Sequence, residues 1–127
     1  MARNTIFHCP VEASLSLIAG KYKCIILWHL MQREHRYGEL HRLLPQATPK
    51  MLTQQLRELE ADGVIHRKVY PVVPPHTEYS LTELGWSLSP IVNAMCEWGK
   101  THMQDKIMPS AQSGKEKDTE KKQNIRK

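Results

Sequence analysis

Apolar positions along the chain recur first at helical spacing and later in alternation, and that order predicts the architecture. The clearest stretch runs from Thr48 to Gly63, where Leu52, Leu56 and Leu59 fall at i, i+4 and i+7 and form one apolar stripe. Thr48 supplies an N-cap oxygen, Pro49 suits a first helical position that needs no N–H, and Gly63 stands where a left-handed stop is expected. At about 100° per residue, Lys50, Thr53, Gln54 and Arg57 share the opposite side, with Glu58 and Glu60 at its flanks. A helix that packs by one face and offers these residues on the other suits the DNA major groove. The same pattern also describes an ordinary amphipathic helix with a solvated face.

The neighbouring stretches complete the picture. A first helix is expected from Cys9-Pro10, with Glu12 at a capping-box position, Leu15, Leu17 and Ile18 as its apolar surface, and Gly20 as its end. A second, apolar nearly all round, runs from Tyr22 to Met31 and should be the most buried element. Residues 32–36 read as a polar turn. A short helix over Tyr37–Leu44 follows, with Leu40, Leu43 and Leu44 inward, stopped by Pro45. This helix and the one over 48–62 form a helix-turn-helix. After Gly63 the period becomes 2: Val64–Tyr70 and Thr77–Leu81 read as strands around a proline-rich link, a wing spanning 64–81. A long helix, capped by Ser80 or Thr82 and kinked at Pro90, is expected through to about Ile107. Its apolar residues cover more than one face, which calls for a partner, most simply a second copy in a twofold dimer.

Composition bounds these elements without redirecting them. A chain of 127 residues, 40% of them hydrophobic, fits one domain with an arm or tail. Residues 1–8 read as a flexible arm, 9–108 as the domain, and 109–127 as a disordered basic tail. The net charge is +5, but residues 113–127 hold six Lys/Arg against three Asp/Glu, so the tail alone carries +3 and the global charge says little about nucleic acid. Cys9, Cys24 and Cys96 are too few and too scattered for a disulfide framework, and no metal-ligand spacing is present, so no metal or cofactor is expected. With no apolar run long enough to cross a bilayer and no secretory leader, no membrane partner is expected and a cytoplasmic location follows as the default.

Several motifs then carry a resemblance: Cys9-Pro-Val-Glu, Gly20-Lys-Tyr-Lys23, Arg36-Tyr-Gly-Glu-Leu40, Lys50-Met-Leu-Thr-Gln-Gln-Leu-Arg-Glu-Leu59, Asp62-Gly, Tyr70-Pro-Val-Val-Pro-Pro75, Glu78-Tyr-Ser-Leu-Thr-Glu-Leu-Gly85 and Cys96-Glu-Trp-Gly99. In this order, over residues 9–103, they resemble the HxlR-type regulators, small bacterial winged-helix transcription factors related in shape to the MarR group. The resemblance implies an α+β, mainly α fold: a winged helix-turn-helix with a two-stranded β-wing and N- and C-terminal dimerisation helices. It implies a homodimer bound to double-stranded DNA, with paired recognition helices in successive major grooves of a pseudo-palindromic operator. Several members carry a cysteine ahead of the first helix that senses oxidants, quinones or aldehydes; that position here is Cys9.

The residues expected at DNA are Thr48, Lys50 and Thr53 near phosphate, Gln54 and Arg57 at base edges or phosphate, and Arg67, Lys68 and His76 in the wing. Cys9 reads either as a regulatory thiol met by an oxidant or electrophile, its thiolate favoured by the helix dipole and by Arg3 or Lys21, or as a simple capping or buried cysteine. Cys24 and Cys96 read as core or interface residues. The leading reading is a dimeric repressor. A small-molecule ligand held near the dimer helices, among Trp28, Trp86 and Trp98, is the alternative control. An enzyme using Cys9 with His8 as base lacks an orienting third group.

Overall fold

A computed structural model of the chain describes residues 5–109. The arm expected over 1–8 is therefore seen only from Thr5, and all of the expected tail except Pro109 lies outside the described residues. Two compact units divide between Asn93 and Ala94.

The first unit opens with α1 (Pro10–Ile18) and α2 (Lys23–Gln32). Glu12 does not close a box onto Cys9; its carboxylate accepts from the His8 N–H one residue earlier, at 2.7 Å. Gly20 lacks the positive φ of a left-handed stop. A Cβ there would press on the Gln55 amide oxygen and the Lys23 stem, so those two side chains would have to shift. Ile26, Leu27 and Leu30 of α2 are buried as its composition requires, and the core also receives Leu40, Leu44, Leu52, Leu56 and Leu59. Burial of each such side chain contributes roughly 1.5–3 kcal/mol.

The polar stretch after α2 is not only a turn. His35–Arg36 forms a short strand, β1, which leads directly into α3 (Tyr37–Leu43). Leu43, expected inward, is 43% exposed, whereas Leu44, just past the helix, takes the core position. Then comes α4 (Pro49–Ala61), with the Thr48 hydroxyl accepting from the Met51 N–H at 3.1 Å. At its end Gly63 adopts φ 79°, its N–H donates to the Glu60 carbonyl, and the Val64 N–H reaches back to Leu59. This paired bonding is a glycine-terminated helix stop, and the buried Val64 and Leu59 seal it with an apolar contact.

The wing is β2 (Ile65–Tyr70) and β3 (His76–Leu81), antiparallel, with Arg67 opposite Tyr79, Lys68 opposite Glu78 and Tyr70 opposite His76. β1 pairs with the other edge of β3, so the sheet has three strands in the order β1-β3-β2 rather than the two of a bare hairpin. Thr82 closes the neck of the wing. Its hydroxyl lies 2.6 Å from the Gly63 carbonyl and 3.0 Å from that of Val64, which also accepts the Thr82 N–H.

The long helix expected after the wing is two helices. Thr82, not Ser80, caps α5 (Glu83–Ser87), accepting from the Gly85 N–H. The chain breaks at Leu88, and α6 (Ser89–His102) restarts with Pro90 at its second position, where a missing N–H is harmless. The proline thus starts a helix instead of kinking one. Leu88 and Val92 are buried.

The second unit begins within α6, and its described residues continue into a 3-10 turn, Gln104–Lys106. Trp98 stacks on the His102 ring at 4.5 Å between centroids yet is 57% exposed, and Met95, Met103, Ile107 and Met108 are exposed too.

Candidate nucleic-acid interface

The geometry of α4 follows from its two faces. Leu52, Leu56 and Leu59 fix one side in the core, so the other side is presented outward as a shallow surface lined by Pro49, Lys50, Thr53, Gln54, Arg57 and Glu58. Lys50, Gln54 and Arg57 are exposed, and Thr53 is half-buried. In the first turn, Pro49 has no N–H and Met51 donates to Thr48, which leaves the Lys50 amide as an outward-facing donor for an anion.

The structure adds partners that the sequence reading did not foresee. The Thr53 hydroxyl lies 3.3 Å from that of Tyr37, which also reaches the Pro49 carbonyl. The Gln54 amide donates to Glu58 at 3.2 Å. Glu58 in turn holds Lys23 at 2.7 Å, an ammonium whose side chain is only 5% exposed. From the sequence, Glu58 was read only as a flank of this face, and Tyr37 and Lys23 only as members of motifs, none of them as a site residue. Only the i, i+4 spacing of Gln54 and Glu58 signalled any of these contacts.

Between α4 and the wing lies a cleft lined by Tyr37, Thr53, Arg57, Glu60, Arg67 and Tyr79, among others. Arg67 is exposed but pairs with Glu60 at 3.4 Å. Burial pushes the Tyr79 hydroxyl above its ordinary pKa, against the opposing pull of Arg67, so it remains a neutral donor at physiological pH. Farther along the wing, the Lys68 ammonium sits 4.9 Å from the Tyr70 ring, and that ring stacks on His76 at 4.7 Å. His76 also lies 3.7 Å from Glu78. Lys68 and Arg67 are thus both on the wing surface, Arg67 engaged by Glu60 and Lys68 resting on the Tyr70 ring, while His76 is held back among its neighbours. Thr48, Lys50, Thr53, Gln54 and Arg57 gather on one helix; Arg67 faces the same cleft as Arg57, and Lys68 and His76 stand apart from it.

Cys9 is exposed at the N-cap of α1 and makes no capping hydrogen bond. Of the two cations expected beside it, Arg3 lies outside the described residues and Lys21 sits over the Tyr22 ring at 5.6 Å. His8 is turned to Glu12, its ring nitrogen 3.5 Å from the carboxylate. Cys24 is half-buried, with its thiol pKa raised by burial and its sulfur 3.8 Å from the Ile18 carbonyl, the setting of an inert thiol. Among the described residues no cluster of His, Cys, Asp or Glu is arranged to hold a metal ion, and no helix is long and apolar enough to cross a membrane.

A family model, the HxlR-like helix-turn-helix, matches residues 17–107. The chain belongs to that family. Among HxlR-type relatives, the HTH-type transcriptional regulator YtcD of Bacillus subtilis (strain 168) is 56% identical over 97 residues, 76% of this chain and 77% of that protein. Among solved structures, the redox regulator HypR in its oxidised form is 53% identical with a TM-score of 0.72, over 74% of this chain and 97% of that one. The reduced form of the transcriptional regulator YodB from B. subtilis is 30% identical with a TM-score of 0.65, over 78% of this chain and 98% of that one. This HxlR-type chain is a DNA-binding transcription regulator built on a winged helix-turn-helix. Its relatives are regulators, which lends a thiol enzyme no support.

Proposed function

We propose that the chain acts as a homodimeric repressor that reads a pseudo-palindromic operator with α4 and the wing and releases it when Cys9 is oxidised or alkylated. The observation that carries the DNA reading is the outward face of α4, with Lys50, Gln54 and Arg57 exposed beside a wing bearing Arg67 and Lys68. The donors on this face match phosphate and base-edge acceptors. Two such helices must meet half-sites about 34–36 Å apart at once, so a small change in their separation breaks the complex.

The thiol reading rests on the exposed sulfur of Cys9 at the start of α1, where it makes no capping hydrogen bond. HypR, a redox regulator with an oxidised form, gives the precedent. In the oxidative route the Cys9 thiols of two subunits give up two protons and two electrons to an oxidant such as diamide, which becomes the hydrazine as the disulfide forms. The dimer is expected to rest on the exposed apolar residues of the terminal helices, Val11 and Leu15 in α1 and Met95 and Trp98 in α6.

The test is binding to DNA upstream of the chain's own gene at fixed salt, reduced and after diamide or a quinone, with wild type and Cys9→Ser side by side. Wild type should bind when reduced and release after treatment, while Cys9→Ser stays bound. Retention of both proteins on treated DNA would overturn the thiol switch, and the absence of binding to that DNA or to any genomic site would overturn the repressor reading.

A further inference from the structure

On its own, the Gln54–Glu58 hydrogen bond is an ordinary i, i+4 contact on an exposed helix face. Lys23 changes its meaning. The Glu58 carboxylate has one oxygen 2.7 Å from the Lys23 ammonium and the other 3.2 Å from Gln54 Nε2. The Lys23 side chain is 5% exposed, so its ammonium is held at this carboxylate away from open solvent. The start of α2 is held to α4 a second time, where the Tyr22 N–H donates to the Gln55 side-chain oxygen at 3.2 Å. Glu58 is therefore anchored from the domain side, and its second oxygen points along α4 to the residue expected at base edges.

We propose that Glu58 is a positioning residue for DNA reading, which fixes the orientation of the Gln54 amide. The inference rests on α4 being the recognition helix. An amide free to flip presents oxygen and nitrogen in either order. A carboxylate only accepts, so Glu58 can hold the amide by its nitrogen alone. Gln54 then offers Oε1 to an exocyclic amine and keeps one N–H for a ring nitrogen, the pattern that adenine presents through N6 and N7. The ion pair with Lys23 thus acts on sequence preference from inside the domain.

The experiment is selection of binding sites by the full chain from a random duplex library, with the base preference read position by position. Wild type should favour adenine at one base pair of each half-site by roughly tenfold. Gln54→Ala should abolish that preference, and Glu58→Gln should reduce it to about threefold or less at the same base pair while the other positions keep theirs. Because Glu58→Gln removes the carboxylate 2.7 Å from the buried Lys23 ammonium, the double variant Lys23→Met/Glu58→Gln carries the same expectation with that ammonium removed as well. Loss of stability alone would weaken every position alike, so the position-specific loss is the discriminating result. If Gln54→Ala relaxes one base pair and both Glu58 variants retain the wild-type ratio there, the positioning role is overturned and the recognition helix stands. If Gln54→Ala changes no position, the base-reading role of Gln54 fails, and the role of Glu58 with it.

Discussion

The Thr53 hydroxyl lies 3.3 Å from the Tyr37 hydroxyl, which joins the first residue of α3 to the second turn of α4. Through its further bond to the Pro49 carbonyl, also at 3.3 Å, Tyr37 ties down the start of α4 as well. Tyr37→Phe should lower stability by about 1 kcal/mol in urea titration. It should also weaken DNA binding without altering the salt dependence, because no phosphate charge is removed. A change in salt slope would instead make Tyr37 part of the phosphate contact.

Lys50 and Arg57 stand exposed on the outward face, whereas Arg67 is already engaged by Glu60. Alanine at either of the first two should reduce the slope of log affinity against log salt by about 1 for each phosphate contact removed. Arg67→Ala should reduce it less. Fluorescence anisotropy over a salt series reads all three, and an unchanged slope for both Lys50→Ala and Arg57→Ala would remove them from the phosphate interface.

Gly63 holds φ at 79°, and a Cβ built there meets nothing within 4 Å. The cost of a side chain is therefore purely conformational. Gly63→Ala should destabilise the domain by about 1 kcal/mol, and Gly63→Asn by less, since asparagine tolerates the left-handed region. Equal urea midpoints for glycine and alanine would contradict the backbone argument.

His29 has its pKa held below the ordinary imidazole value by burial, with repulsion from His35 adding to it. The unfolded chain therefore takes up a proton that the native chain resists. Stability should be complete above the unfolded value of about 6.5 and fall as pH drops through the folded one. Denaturation at pH 7.5 and 5.5 should show this loss, and His29→Gln should shrink it. A second loss belongs lower, below the ordinary carboxylate range. There Glu39 is held ionised chiefly by the Arg36 N–H, 3.0 Å away.

Where local chemistry decides, the sequence was readable. α4 carries its cap, its proline, its stripe and its stop within one stretch, and each signal appears in the structure at its expected place. The errors share a cause. β1 is two residues long and exists only because His35 and Arg36 meet Tyr79 and Glu78, more than forty positions away. No local period announces such a strand. The break at Leu88 was hidden because the apolar spacing continues across it, and Pro90 is as compatible with a new helix as with a kinked one. At the interface the exposed cations were legible from helical geometry. What binds them was not: Glu60 on Arg67 and the Tyr70 ring under Lys68 depend on how strand and helix meet in space.

Thr82 gives the wing an unusual freedom. Because its hydroxyl and amide bond the chain where the wing departs, at Gly63 and Val64, the hairpin leaves and returns at nearly the same point. Its length is then decoupled from the rest of the domain. Residues can be added or removed around Pro71–Pro75 without displacing the end of α4 or the start of α5. An engineer could exchange the tip as a cassette while the helices on either side of the hairpin stay where they are.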